Sequence, residues 1–260
     1  FLGDYMQILK YTKKGSNQYE LTLKDNTKLT LYTDLILKYD LLIKKKIDSN
    51  ILEVITSDNL KLDCYYKALK YLKNIKCTKD IKNYLKDYPL SIREYTITRL
   101  TKEGYLNDNK YVEAYINTKI SLSNDGYYKI YNSLKDKEIN DNLIKAYLDS
   151  ITADIWQTKI IKIVNTKLKS NTKYSSKALI NKIKAYLHTL GYQEYLINRV
   201  MDNLVINNKD DNVKLQKEYT KLYLKYKNKY DKTKLNYILT GKLYQKGYNL
   251  EAIKELIKSN

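Results

Sequence analysis

The chain has 260 residues, of which 43% are hydrophobic, so it can bury real cores and is not intrinsically disordered. No apolar run approaches the roughly 20 residues that a bilayer span needs, and the first thirty residues lack a signal-peptide pattern. We therefore expect no membrane segment and a cytoplasmic protein. The net charge of +19 indicates an acidic partner, and one proline with seven glycines favours long helices joined by short connections.

The N-terminal segment has the alternation that is typical of strands. Apolar and polar residues alternate over Tyr19–Leu23 and again over Leu29–Leu31, and the turn-forming pair Asp25-Asn26 lies between them. Met6–Tyr11 is predicted to add a third strand.

Beyond the predicted hairpin the periodicity becomes helical. It starts at Thr33, is interrupted by a predicted basic turn at Lys44–Lys46, and resumes over Ile51–Ile55. Residues 1–58 are thus predicted to form a small β-rich extension with linking helices.

A phrase of the form Leu-x-x-x-Gly-Tyr recurs along the rest of the chain. It spans Leu100–Tyr105, Leu187–Tyr192 and Leu243–Tyr248, with a degenerate copy at Leu134–Ile139. After the last three copies along the chain, an isoleucine follows at five residues and a large apolar residue four further on. This fixed spacing indicates a copied unit in which the glycine takes the left-handed conformation that ends a helix.

Each copied unit also has an amphipathic helix upstream, as in Trp156–Leu168 and Leu215–Tyr230, which gives three helices per unit. The predicted repeats cover residues 59–106, 109–151, 153–204 and 210–258. We therefore predict a mainly α fold of tandem three-helix repeats that form a curved solenoid, with a small N-terminal β-hairpin or β-sheet cap.

The usual catalytic and metal-binding patterns are missing from the sequence. His188 is the one histidine and is expected to be solvated, while Cys64 and Cys77 lack metal-ligand spacing and are expected to be free thiols. The pair Asp210-Asp211 precedes a helix and is interpreted as a cap. We therefore predict no catalytic residue, no metal site and no cofactor.

The positive charge is concentrated in the helical part. Residues 1–60 contain nine lysines against eight acids, so residues 61–260 carry almost all of the net charge. Residues 155–193 contain eight lysines and no Asp or Glu. Such a surface attracts polyanions, and Trp156, Tyr174 and Tyr186 are predicted to add stacking contacts.

Several segments in fixed order resemble the RecX family of regulators. Ala68–Leu72 reads Ala-Leu-Lys-Tyr-Leu, and Leu100–Asp108 continues the Gly-Tyr phrase with Leu-Asn-Asp. Tyr111–Tyr115 reads Tyr-Val-Glu-Ala-Tyr, and the later Gly-Tyr copies resemble the remaining repeats of that family. Asn107 stands where the family favours Asp, and Tyr111 where it favours Phe. The resemblance covers nearly the whole chain.

This resemblance implies a bacterial protein that binds the RecA recombinase filament, inhibits filament growth, and so restrains recombination and the SOS response. It also implies weak binding of single- or double-stranded DNA. We expect a monomer without a reaction of its own. The predicted contact face for RecA and DNA consists of ten lysines, namely Lys129, Lys135, Lys137, Lys167, Lys169, Lys173, Lys177, Lys184, Lys221 and Lys225.

Two other interpretations of the basic repeats remain open. The chain could be a stand-alone nucleic-acid-binding repeat protein, which would bind DNA or RNA tightly with a steep salt dependence. It could also be a structural scaffold for another protein, which would affect neither filaments nor DNA.

Overall fold

The computed structural model describes residues 5–204 and 209–259. The chain divides into two compact units, Phe1–Tyr111 and Val112–Asn260. The described residues are mainly helical and include one small antiparallel sheet near the N-terminus, which confirms the predicted fold class. The curvature of the array stays a prediction.

The sheet of the first unit has four antiparallel strands in the order β3-β2-β1-β4. They are β1 (Tyr5–Lys14), β2 (Gln18–Leu23), β3 (Lys28–Tyr32) and β4 (Lys46–Asp48). The predicted hairpin and third strand are confirmed, and Asn26 turns the hairpin with φ 66°. The predicted basic turn is only partly right, because Lys45 alone turns with φ 51° while Lys46 begins β4. Lys46 pairs with Gln7 of β1, which lies 39 residues earlier, and no local sequence pattern indicates such a distant pairing.

Five helices complete the first unit. They are α1 (Thr33–Lys38), α2 (Leu41–Lys44), α3 (Ser49–Tyr71), α4 (Thr78–Tyr84) and α5 (Leu90–Lys102). The long helix α3 takes part in two cores. Its Ile55 packs with Leu21 and Leu31 of the sheet, whereas its Cys64 packs with Ile81 and Leu100 of α4 and α5. Burial of these apolar side chains packs the sheet against one part of α3 and packs α4 and α5 against another part of the same helix.

The remaining helices follow one another in groups of three. They are α6 (Asp108–Leu122), α7 (Tyr127–Lys135), α8 (Asp141–Asp149), α9 (Ala153–Lys169), α10 (Ser176–Thr189), α11 (Glu194–Asp202), α12 (Lys209–Tyr226), α13 (Lys232–Gln245) and α14 (Leu250–Lys258). We call α3–α5, α6–α8, α9–α11 and α12–α14 the first to fourth triplets. The boundary between the two compact units lies inside α6. The repeat boundaries drawn from the sequence stay predictions.

All four copies of the recurring phrase end a helix in the same way. The left-handed residues are Gly104 (φ 79°), Glu138 (φ 59°), Gly191 (φ 82°) and Gly247 (φ 84°), which confirms the predicted stop. In each copy the next residue donates its backbone N–H to the leucine five positions earlier, as Tyr105 does to the Leu100 carbonyl at 3.0 Å. This bond defines the Schellman motif. The first copy closes α5, the third helix of its triplet, while the other three close second helices.

In the second unit these turns join consecutive triplets. The turn after α10 meets the start of α7, where Gly126 donates its N–H to the Leu190 carbonyl at 2.7 Å. The turn after α13 meets the start of α10 in the same way, because Ser175 donates its N–H to the Lys246 carbonyl at 3.1 Å. Thus the N-terminus of the second helix in one triplet contacts the C-terminal turn of the second helix in the next triplet.

Candidate partner-binding surface

The predicted binding lysines of the second triplet are engaged within the protein. Lys129 lies 2.7 Å from a carboxylate oxygen of Asp125, and Lys135 lies 3.6 Å from one of Asp141. Lys137 is half-buried and also has a partner. Burial alone would raise the pKa of Asp125, but hydrogen bonds from Lys119 and Lys129 outweigh burial and lower that pKa to about 2. Lys129 and Lys135 are therefore partly neutralised.

The lysines of the third triplet are arranged differently. Lys167 and Lys169 lie in the last turn of α9, Lys173 in the following loop, and Lys177 in the first turn of α10. All four are exposed, and none has a carboxylate within 4 Å in the part of the chain that the structure describes. We call these four residues the α9–α10 corner. The lack of Asp and Glu over 155–193 thus leaves a concentrated positive charge.

Lys177 carries a further signal because of its place in its helix. The N-terminus of a helix has a partial positive charge, so a cation in the first turn costs stability, by roughly 0.3–1 kcal/mol. The first turn of α10 holds no acidic residue of its own, and the negative charge at this N-terminus comes from Asp211 of α12, which accepts the Ser176 N–H. Lys177 therefore does not stabilise its own helix.

Of the three other predicted lysines, one is engaged within the protein and two are exposed. Lys184 is half-buried and donates to the Asn198 side-chain oxygen at 3.2 Å, so it helps to hold α10 to α11. Lys221 and Lys225 are exposed on α12 and have no carboxylate within 4 Å among the described residues. The Lys225 ammonium lies 5.5 Å from the centre of the Tyr226 ring.

One of the three predicted stacking residues is wrongly assigned. Trp156 is 2% exposed and packs edge-on against Tyr192 in the core, so it cannot reach a partner. Its position in the apolar stripe of α9 explains this burial. Tyr186 is 36% exposed and lies 4.5 Å beneath the Lys167 ammonium, and Tyr174 is paired with Lys182 at 4.6 Å.

Sequence reasoning also missed the structural use of Lys159. Its ammonium donates to the carbonyls of Ile120 and Ser123 at 2.6 and 2.7 Å, and so caps the C-terminus of α6. Burial lowers the pKa of this amine, while the charge of Asp125 acts in the opposite direction. A signal was present in the sequence, because Lys159 falls between Trp156 and Ile160 in the apolar stripe.

The structure also places the histidine, the two cysteines and the acidic pair that the sequence singled out. His188 is exposed, as predicted, and Cys64 and Cys77 are both buried, with the Cys77 thiol donating to the Asp80 carboxylate at 3.2 Å. The prediction that Asp210 and Asp211 precede a helix is wrong, because both lie within α12. Asp211 instead caps α10, since it accepts from the Ser176 N–H at 2.9 Å and from the Ser176 hydroxyl. Across the described ranges, no three His, Cys, Asp or Glu side chains come together as metal ligands could.

None of the described helices has both the length and the apolar character that a membrane crossing requires. No protein-family model matches the chain. Curated relatives nevertheless align with almost all of it. It is 27% identical over 253 residues to the regulatory protein RecX of Bacillus subtilis (strain 168), which covers 95% of each chain. It is 28% identical over 263 residues to the regulatory protein RecX of Streptococcus agalactiae serotype Ia, covering 97% of this chain and 99% of the relative.

Two solved structures share the fold. A crystal structure of regulatory protein RecX superimposes with a TM-score of 0.66, 19% identity, and coverage of 76% of this chain and 100% of the other. RecX from Lactobacillus salivarius gives a TM-score of 0.54 and 25% identity, and covers 56% of this chain and 97% of the other. The near-complete alignments and the shared fold thus make this chain similar to RecX regulatory proteins over almost its whole length.

Proposed function

We propose that this chain binds the RecA recombinase filament on DNA, inhibits filament growth, and thereby restrains recombination and the SOS response. It acts as a monomer in the bacterial cytoplasm, with weak DNA binding and without a catalytic step. Similarity over almost the whole chain to proteins named regulatory protein RecX supports a regulatory role. The RecX resemblance supplies the identity of the regulated partner.

The observation that carries this proposal is the α9–α10 corner. Four exposed lysines lie within eleven residues of chain, and within the described ranges no carboxylate neutralises them. An unneutralised positive patch attracts an acidic partner over a Debye length and orients it during encounter. We therefore place the main contact at this corner, with Lys221 and Lys225 of α12 as further contacts.

The other four predicted lysines contribute less under this proposal. Lys129 and Lys135 are already paired with acids, Lys137 is engaged, and Lys184 holds α11. A lysine that must first leave an existing partner contributes less free energy to the binding of a new partner. A filament presents the same surface on every protomer, so a repeat protein can add several weak contacts through effective concentration.

The test replaces Lys169, Lys173 and Lys177 together by Glu and measures inhibition of RecA's ATP hydrolysis on single-stranded DNA. We expect the half-inhibiting concentration to rise at least about tenfold, since each reversal replaces attraction by repulsion. The matched control reverses Lys10, Lys13 and Lys24, which are exposed lysines of the sheet region. That control has the same change in net charge and should inhibit as the wild type does.

Equal inhibition by the corner variant and the wild type, with helicity unchanged in both, would remove the contact from this corner. Loss of inhibition in both triple variants would show that only net charge matters. DNA binding without RecA, measured at two salt concentrations, separates the filament regulator from a stand-alone nucleic-acid-binding protein. The latter would bind tightly with a steep salt dependence and leave RecA unaffected when DNA is in excess.

A further inference from the structure

Helix α13 exposes two aromatic rings that its core packing does not use. It buries Leu235, Leu239 and Leu243 along one side. On another side Tyr237 is 81% exposed and Tyr244 is 62% exposed. Neither ring stacks, hydrogen-bonds or lies under a cation in the part of the chain that is described. Seven residues are almost two full turns, so the rings lie on one face about 10 Å apart along the axis.

A glycine occupies the same face between the two rings. Gly241 is an interior residue of α13, and a β-carbon at this position would meet nothing within 4 Å. Neither a tight turn nor close packing therefore requires glycine here, although glycine lowers helix stability by about 1 kcal/mol relative to alanine. Its effect is to leave the helix surface between the rings of Tyr237 and Tyr244 free of side-chain atoms.

The face continues into a groove of about 810 Å³ between the third and fourth triplets. Tyr244 stands at this groove, and Lys177, Asn181 and Asn249 line it. Lysine supplies a cation for a phosphate, and the Asn181 amide supplies a donor and an acceptor for the edge of a base. The Asn249 oxygen already accepts the Glu251 and Ala252 N–H groups, so only its NH2 group can donate to a ligand. Asp211, an acid of the lining, is already engaged by Ser176 and by Lys214 at 3.8 Å.

The charge around the two rings is positive. The Lys234 ammonium, one turn before Tyr237, lies 5.4 Å from the centre of the Tyr230 ring and has no carboxylate within 4 Å among the described residues, and Lys177 lines the groove beside Tyr244. Lys242 lies on the other side of α13, over the Tyr226 ring. Exposed rings flanked by lysines are the arrangement on which single-stranded nucleic acids stack, because every base has a flat face. A protein interface would instead need a broader apolar centre.

We propose that Tyr237, Gly241 and Tyr244 form a stacking platform for single-stranded nucleic acid, which continues into the groove at Lys177. The two rings each stack one base, and the open surface at Gly241 leaves room for the sugar-phosphate backbone between these bases. This inference rests on the proposed weak DNA binding of the chain, and it gives that binding a location on the fourth triplet. It requires no RecA.

The test measures binding of a fluorescent oligothymidine to the full chain in the absence of RecA. In one variant Tyr237 and Tyr244 are both replaced by Leu, which removes the rings but keeps apolar side chains and good helix formers. In the second both are replaced by Phe, which keeps the rings. We expect the Leu variant to bind roughly a hundredfold more weakly, about tenfold per ring, and the Phe variant to bind as the wild type does.

Tyr195→Leu is the matched control, because Tyr195 is 58% exposed on α11 and should not affect binding. Photo-crosslinking of a bromodeoxyuridine oligonucleotide to the wild type should label Tyr237 or Tyr244, and this result does not depend on how a variant folds. Equal binding by the Leu variant and the wild type, or crosslinks confined to other residues, would overturn the platform. So would a Leu variant that binds DNA normally yet fails to inhibit RecA, since the rings would then contact protein. A wild type that binds no oligothymidine would overturn the DNA-binding proposal as well.

Discussion

Gly247 approaches Ala178 so closely that a β-carbon at position 247 would lie 2.4 Å from the Ala178 β-carbon. The same atom would lie 2.7 Å from the Ser175 hydroxyl oxygen, which itself donates to the Gly247 carbonyl at 2.7 Å. The third and fourth triplets can approach this closely here because position 247 has no side chain. Gly247 thus has two separate functions, since it also supplies the positive φ that ends α13.

Gly247→Ala is expected to destabilise the protein more than Gly104→Ala. Both changes place alanine in the left-handed region, at a cost of about 1–2 kcal/mol. At Gly104 a β-carbon meets nothing within 4 Å, whereas at Gly247 it overlaps α10, which adds roughly 1–3 kcal/mol. Urea unfolding of the two variants measures the difference. Equal losses of stability would mean that α10 moves aside at no cost.

Lys159→Met is expected to lower the free energy of unfolding by about 1–3 kcal/mol. Methionine keeps much of the side-chain volume but leaves the Ile120 and Ser123 carbonyls without the donor that caps α6. Lys162→Met is the control, since Lys162 is exposed on the same helix and should change stability by less than about 0.5 kcal/mol. Similar effects of the two substitutions in thermal or urea unfolding would contradict the capping role.

Asp125→Asn should remove a pH-dependent part of the stability. The folded pKa of Asp125 is about 2, below the ordinary value of 3.8, so between these values the unfolded chain binds more protons. The ion pairs with Lys119 and Lys129 thus stabilise the fold above pH about 4 and are lost as the pH falls towards 2. Urea unfolding from pH 2 to 6 should show the stabilities of the wild type and the variant converging at low pH. A constant difference across this range would show that the carboxylate charge is not what stabilises the fold.

Features that depend on neighbouring residues could be read from the sequence. The Leu-x-x-x-Gly-Tyr phrase predicted its helix ends because the left-handed glycine and the bond back to the leucine involve only six consecutive residues. Alternation over Tyr19–Leu31 likewise predicted the hairpin, since its strands are joined by a tight turn. The order of the family-like segments also depended on sequence alone, and the comparisons confirmed the resemblance.

The roles of individual charged residues were decided by contacts between distant parts of the chain. Lys159 and Lys173 look alike in an acid-free segment, yet Lys159 caps carbonyls 36 and 39 residues earlier while Lys173 remains exposed. Asp211 caps α10 across 35 residues, although its position in the sequence suggested its own helix. Local backbone geometry and side-chain periodicity are set within a few residues, and the sequence determined those. Whether a lysine neutralises a buried acceptor or faces solvent depends on which carbonyl or carboxylate the fold brings near it, and only the tertiary structure decided that.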